Sequence, residues 1–257
     1  MITRTRPGTI PLVSLALIAL ALPLSASATP DRARQILDKV DDLWRGASSR
    51  ARMEMQVKTE HYERTLAMEV WSQGKEKTLV RILAPRREKD TATLKAGNEI
   101  YTYLPRTNRV IRLTSGMMAG AWMGSHFNND DLVRESRLAD DYDASLTFEG
   151  ERDGAKIVEV TLIPKKSAAV VWGKVVTEVR AADFIPTRQR YFDEDGKLAR
   201  TMTFTDIRDM GGRKVAARMR IVPADKPKEF TELRYAELEF GVAIDDLFFS
   251  IQRLKRR

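Results

Sequence analysis

Of the side chains that most often bind zinc or act as nucleophile and base, this chain has two histidines, His61 and His126, and no cysteine. His126 is followed closely by Asp130 and Asp131, the one local cluster with metal-ligand chemistry. We read that cluster as a loop histidine beside helix-capping acids. Ser115 and Ser125 lack the GxSxG context that exposes a hydrolase nucleophile. No glycine-rich motif that would cradle a phosphate is present. The expectation is a protein without enzymatic activity, cofactor or metal.

The residues that do stand out are apolar. The stretch MMAGAWMGSHFNNDDLVRES, residues 117–136, sets Met117, Met118, Trp122, Met123 and Phe127 among glycines and alanines and then turns into an acidic helix start. Asn128 or Asn129 is placed to cap that helix, with Asp130 and Asp131 in its first turn, where carboxylates favour the positive helix end. Methionine is unbranched and adapts to irregular shapes, which suits apolar binding surfaces. The composition fits a mobile apolar flap over a sheet, and it fits a core-filling loop as well.

The elements around this segment are strands. One amphipathic helix of about a dozen residues comes first (DRARQILDKVDDLWRG), with Ile36, Leu37, Val40, Leu43 and Trp44 on one face. After it the period changes to two. RARMEMQVK puts Met53, Met55 and Val57 on one side, and TLAMEVW puts Leu66, Met68 and Val70 in register. KTLVRILA, TATLKAG, EIYTYLP and RVIRL follow. Beyond the methionine segment come DASLTFEGE, KIVEVTLIP, KVVTEVRAAD, PTRQRYFD, KLARTMTFTDIR, RKVAARMRIVP and EFTELRYAELEF, with DEDGK and MGGRK as hairpin turns. Roughly a dozen strands with no alternating helices predict a mainly β protein built on a wide antiparallel sheet, which must curl because twist accumulates. Several strands carry apolar residues on both faces, so one face of the sheet meets apolar material that the strands do not supply. Either the helical segments cover it and complete an ordinary core, or they cover it incompletely and leave room for an apolar ligand.

The first 28 residues combine Arg4 and Arg6, an apolar run from Ile10 to Leu22 and the triplet Ala26, Ser27, Ala28. This is the pattern of a cleavable secretory signal peptide, and the run is short of the roughly 20 residues of a membrane span. Residues 29–257 are then expected as one periplasmic domain, without disulfides or a lipid-attached cysteine. The formal charge of +8 suits anionic partners, including phospholipid head groups, but is spread over charges of mixed sign. No nucleic-acid partner is expected, and membrane contact would be transient. The KPKEF stretch and the RLKRR ending read as solvated charge.

The strings VWSQGKEKTLVRILAP, EIYTYLPRTNRVIRL, WMGSHFNNDDLVRES and DDLFFSIQRLKR resemble the outer-membrane lipoprotein-sorting protein family, the LolA-like periplasmic carriers. The resemblance extends over nearly all of residues 29–257. It departs from the family pattern at His126, where an acidic residue is usual. It implies an unclosed, strongly curved antiparallel half-barrel whose concave apolar face is capped by helices, with acyl chains bound between. It also implies a cargo of acylated lipoprotein or lipid, taken from an inner-membrane transporter to an outer-membrane acceptor. Met117, Met118, Trp122, Met123 and Phe127 are then the expected lid contacts, and Met53, Met55, Leu66, Met68 and Val70 the expected concave wall. Burying a sixteen-carbon chain is worth on the order of 12 kcal/mol, so a carrier able to release it needs a loose cavity. The alternative is an interaction module, such as an accessory subunit of an envelope export complex, whose groove is filled by its own side chains.

Overall fold

The computed structural model describes residue 1 and residues 29–134 and 138–255; the expected leader, residues 1–28, lies outside them apart from residue 1. Helix α1 spans Thr29–Arg45, longer than its apolar stripe required. Strands β1 (Ser48–Lys58), β2 (Glu63–Gln73), β3 (Lys77–Ala84), β4 (Ala92–Ala96), β5 (Glu99–Leu104) and β6 (Arg109–Arg112) follow. A connection holding α2 (Asn129–Arg134) and α3 (Leu138–Asp141) leads to β7 (Tyr142–Arg152), β8 (Ala155–Pro164), β9 (Lys174–Arg180) and β10 (Pro186–Phe192). The chain ends with β11 (Leu198–Met210), β12 (Arg213–Pro223), β13 (Phe230–Phe240) and α4 (Ile251–Leu254).

All thirteen strands form one antiparallel sheet in the order β6-β5-β4-β3-β2-β1-β13-β12-β11-β10-β9-β8-β7. The chain therefore starts at the middle and walks outward to the β6 edge. It then crosses to the opposite edge in one step and walks back, until β13 closes against β1. The crossing step is residues 113–141, which include the methionine segment; we call residues 113–134 the strap. A sheet this wide curls, and here it does so without closing, since β6 and β7 remain edges. Edge strand β6 is four residues long and carries the exposed Arg109 and Arg112, features that blunt an open edge. The turns match the sequence: Gly211 and Gly212 take φ values of 56° and 80° between β11 and β12, as a tight hairpin requires.

Alternation decides which side chains share the concave face. Strand β1 buries every second residue, including Ala51, Met53, Met55 and Val57, and leaves Arg52 and Glu54 exposed. The main core lies between this face and α1, whose Ala33, Ile36 and Leu37 are buried. Near the end of α1, Trp44 stacks on Tyr235 of β13 at 5.8 Å and meets Phe204 of β11 at 6.2 Å. Where α1 ends, the Asp42 carbonyl accepts from Gly46 N and from the Arg213 guanidinium.

A second, smaller core sits on the convex side. Leu79, Leu94 and Tyr103, which point away from the main core, are covered by Phe249 and Leu254 of the C-terminal segment. Arg81 pins that segment through its Nη2, which donates to the carbonyls of Arg253 at 3.1 Å and Leu254 at 3.2 Å. The double-sided apolar pattern of KTLVRILA is thereby resolved; within the RLKRR ending Leu254 is fully buried, whereas the charged Lys255 is exposed. Among the described residues no helix is long and apolar enough to cross a membrane.

Candidate functional site

Between α1 and the concave face the core does not fill completely. A cavity of about 170 Å³ remains, roofed by Leu37, Val40 and Trp44 of α1 and floored by Ala51, Met53, Met68, Val70 and Val80. Phe204, Met219, Leu233 and Leu238 wall it toward the centre of the sheet, and Trp122, Phe127, Leu132 and Leu138 wall it from the strap and from α3. A single water needs only roughly 10–15 Å³ in a comparable measure, so the space is a hollow rather than a packing defect. Its boundary is mostly aliphatic and aromatic, but Ser49, Ser72, Thr78, Lys95, Asp41 and Arg45 also border it.

The strap is attached at several points. Its backbone pairs with itself between Ala121 and Asn128, and Trp122 N donates to Phe127 O at 2.8 Å. Trp122 Nε1 donates to Thr93 Oγ1 of β4 at 3.2 Å. The Tyr62 hydroxyl donates to the Gly124 carbonyl, and Arg64 Nη2 to the Met123 carbonyl. Met123 and Gly124 both adopt positive φ, 49° and 61°. A Cβ at Gly124 would approach the Tyr62 hydroxyl to 3.0 Å, so this close approach and this backbone favour glycine.

Among the described residues no group of three or more His, Cys, Asp and Glu is placed to hold a metal ion, and the contacts of His126 are structural ones. His126 pins the strap to β13. Its backbone N donates to Thr231 Oγ1 at 2.9 Å, its Nδ1 lies 2.8 Å from the same oxygen, and its Nε2 lies 3.1 Å from Glu229 Oε2. Glu229 belongs to KPKEF, and the reading of that stretch as solvated charge is corrected at this residue, which is buried. Hydrogen bonds from His126 and from the Glu60 N–H hold the Glu229 carboxyl below the usual carboxylate range.

At the start of α2, Asn128 is the cap. Its Oδ1 accepts from Asp131 N and its own N donates to Asp131 Oδ2, each at 2.8 Å, a reciprocal capping arrangement. Asp131 also takes Arg200 of β11, whose guanidinium lies over the adjoining rings of Trp172 and Tyr191 at 4.4 and 4.1 Å. Nothing in the sequence near either residue announces that pair.

The expected site residues divide. Trp122 and Phe127 are buried and border the hollow, whereas Met117 is exposed and Met118 half-buried, neither of them against it. Met123 packs on the main core without bordering the space. On the sheet, Met53, Met68 and Val70 face the hollow; Met55 and Leu66 share that face but lie fully buried in the core beyond it. Sequence reading missed the roof from α1 and the far wall from β11 to β13. Their apolar periodicity was visible, but only the fold brings them opposite β1 and β2.

No curated protein matches the chain. Solved structures do. One is an outer membrane lipoprotein-sorting protein domain from Vibrio parahaemolyticus, 24% identical, with a TM-score of 0.79 over 88% of this chain and 100% of that one. A DUF1329-family protein from Desulfovibrio piger is 20% identical, with a TM-score of 0.80 over 88% and 99%. A LolA-superfamily protein from Nitrosomonas europaea is 22% identical, with a TM-score of 0.73 over 86% and 98%. At these identities the likeness is one of fold. The family described as "uncharacterized protein" matches residues 74–256, and the chain belongs to that family, built on the unclosed half-barrel shared by the lipoprotein-sorting and LolA-superfamily structures.

Proposed function

We propose that this protein is a non-enzymatic periplasmic carrier that shelters acyl chains of a lipoprotein or lipid under α1 and the strap. It would pass them from an inner-membrane transporter to an outer-membrane acceptor. The observation that carries this reading is the vacant apolar hollow on the concave face. The fold likeness to a lipoprotein-sorting domain supports it, as does the signal-peptide pattern of residues 1–28. Each methylene moved from water into the hollow is worth about 0.8 kcal/mol, enough to hold a chain and, for a few methylenes, little enough to release it.

The size of the hollow matters. An engineered cavity of about 150 Å³ takes up a benzene, so the present space of about 170 Å³ holds only the end of one chain. A longer chain requires the strap or α1 to move outward. The same observation favours a second reading, in which the groove serves mainly as a core and the protein is an accessory subunit of an envelope complex. Native mass spectrometry of protein exported and purified without detergent separates the two. Co-purifying lipid masses support the carrier. A uniformly unliganded protein that also fails to take up an added apolar probe refutes it.

A further inference from the structure

The face of the sheet opposite the hollow carries a strip of arginines. Glu159 of β8, Glu178 of β9 and Glu232 of β13 alternate along their strands with side chains of the main core, so they point to the convex side. They are buried there all the same, with side chains only 2–11% exposed. Arginines cover them. Glu178 lies 2.9 Å from Arg188 and 3.3 Å from both Arg152 and Arg190, while Glu159 is 2.7 Å from Arg152 and 3.0 Å from Arg190. Glu232 has Arg220 at 3.2 Å, Arg218 at 3.7 Å and Arg234 in direct contact. The strand registers join the two clusters: Glu159, Glu178, Arg188, Thr203, Arg220 and Glu232 form one transverse row from β8 to β13.

The strip holds more positive charge than its own carboxylates require. One guanidinium can neutralise Glu232, yet three converge on it. Two of these, Arg218 and Arg234, stand directly opposite each other on paired strands, a like-charge arrangement that disfavours the sheet. Even with the exposed Glu54, which pairs with Arg234 from β1, the six guanidiniums outnumber the carboxylates of Glu54, Glu159, Glu178 and Glu232. The three buried carboxylates lie beneath and the guanidiniums, 32–47% exposed, lie above them, so the outer surface is positive. Aromatic rings fix two of the heads from the side: Arg152 sits over Phe148 at 3.8 Å and Arg220 over Phe230 at 3.7 Å. A guanidinium has five N–H donors in a rigid fork, so one anchored through one edge keeps donors for a second carboxylate.

We infer that this strip is a docking surface for an acidic, extended segment of a partner protein. Charge complementarity sets the chemistry of the partner, because planar forks held in fixed positions match carboxylates. Shape favours a polypeptide over a lipid surface. A flat bilayer meets a convex sheet over a narrow contact, and none of the exposed large apolar side chains is a residue of the strip, whereas an extended segment can follow the curve. Six strands about 4.8 Å apart span about 24 Å, the length of roughly seven extended residues. The surface lies on the other side of the sheet from the hollow, so this inference stands or falls independently of the carrier reading.

The test is fluorescence anisotropy of a labelled peptide of alternating glutamate and serine, titrated with the exported protein at low ionic strength. Binding is expected, and it should fade as salt rises toward about 0.5 M. Arg188→Gln combined with Arg218→Gln and Arg220→Gln leaves Arg152 and Arg190 on Glu159 and Glu178, and Arg234 on Glu232. At a factor of about two for each exposed ion pair, this triple variant should bind the peptide about tenfold more weakly. Arg86→Gln combined with Arg87→Gln and Arg106→Gln removes the same charge from exposed positions elsewhere and should stay within about twofold of the wild type. If the strip variant does not fold, Arg218→Gln alone takes its place, with an expected loss of about twofold against none in Arg86→Gln. No binding by the wild type, an unchanged affinity in the folded strip variant, or equal weakening by both triple variants overturns the inference. Sedimentation with phosphatidylglycerol vesicles that is lost in the strip variant, without peptide binding, overturns it in favour of a membrane surface.

Discussion

Arg200 Nη1 donates to Asp131 Oδ2 at 2.8 Å, and the two side chains are only 5% and 9% exposed. This pair ties the strap end of α2 to β11, across the mouth that the sheet leaves open. Removing one partner of such a pair strands a buried charge and costs about 3–5 kcal/mol. We expect Arg200→Met to lose that much in urea unfolding, and Arg200→Met with Asp131→Asn to lose clearly less than the two single changes summed. Additive losses would mean that the pair is not coupled.

The strap residues should separate by burial. Trp122→Ala is expected to destabilise toward the low end of about 3–5 kcal/mol, because the ring already borders empty space and loses one hydrogen bond to Thr93. Met117→Ala, at an exposed position, should stay within about 0.5 kcal/mol. Thermal unfolding of the two variants checks this, and equal melting temperatures would contradict it.

Gly124→Ala tests the clasp by Tyr62 and Arg64. The residue has φ +61° and no room for a Cβ without moving the Tyr62 hydroxyl, so a loss of about 1–2 kcal/mol is expected. Hydrogen exchange should locate that loss in residues 121–128. A loss spread evenly over the sheet would argue against a local clasp.

Acid should weaken the same attachment at β13. Glu229 has its folded pKa depressed, chiefly by the hydrogen bond from His126. A depressed carboxylate contributes stability that is fully present above its unfolded pKa and is lost as pH falls through the lower folded value. Strap protection, read as exchange of the His126 amide, is therefore expected to hold at neutral pH and to decline below the ordinary glutamate range. In Glu229→Gln it should be weaker at neutral pH and lack that decline. Identical profiles for wild type and variant would remove Glu229 from the account.

Filling the hollow tests the carrier reading directly. Ala51 lies in its floor beside Val70 and Leu238. Ala51→Phe has empty space to enter, so its stability should change by less than about 1 kcal/mol while uptake of an apolar probe falls at least tenfold. Undiminished uptake would mean that chains bind elsewhere.

Much of this architecture was legible locally. The period-two alternation of RARMEMQVK, the glycine turn of MGGRK and the acidic helix start after Asn128 depend on neighbours a few residues apart, and each formed as its sequence required. The apolar character of residues 117–127 was legible too, but not its division into buried Trp122 and Phe127 and exposed Met117. That division depends on which residues face β4 and β13, and no local rule contains it.

The sequence alone determined the strands, their apolar faces and the apolar connection between two strand series, because side-chain alternation and turn chemistry are short-range. The tertiary structure decided that β1 pairs with β13, that β6 and β7 become opposite edges, and that the connection must therefore cross the concave face. It also decided the partners of Glu229, Arg200 and Lys95. All three look like surface charge in one dimension. Only the register between strands, fixed by burying one face of a curled sheet, brings Lys95 into line with Thr78, Ser72 and Ser49.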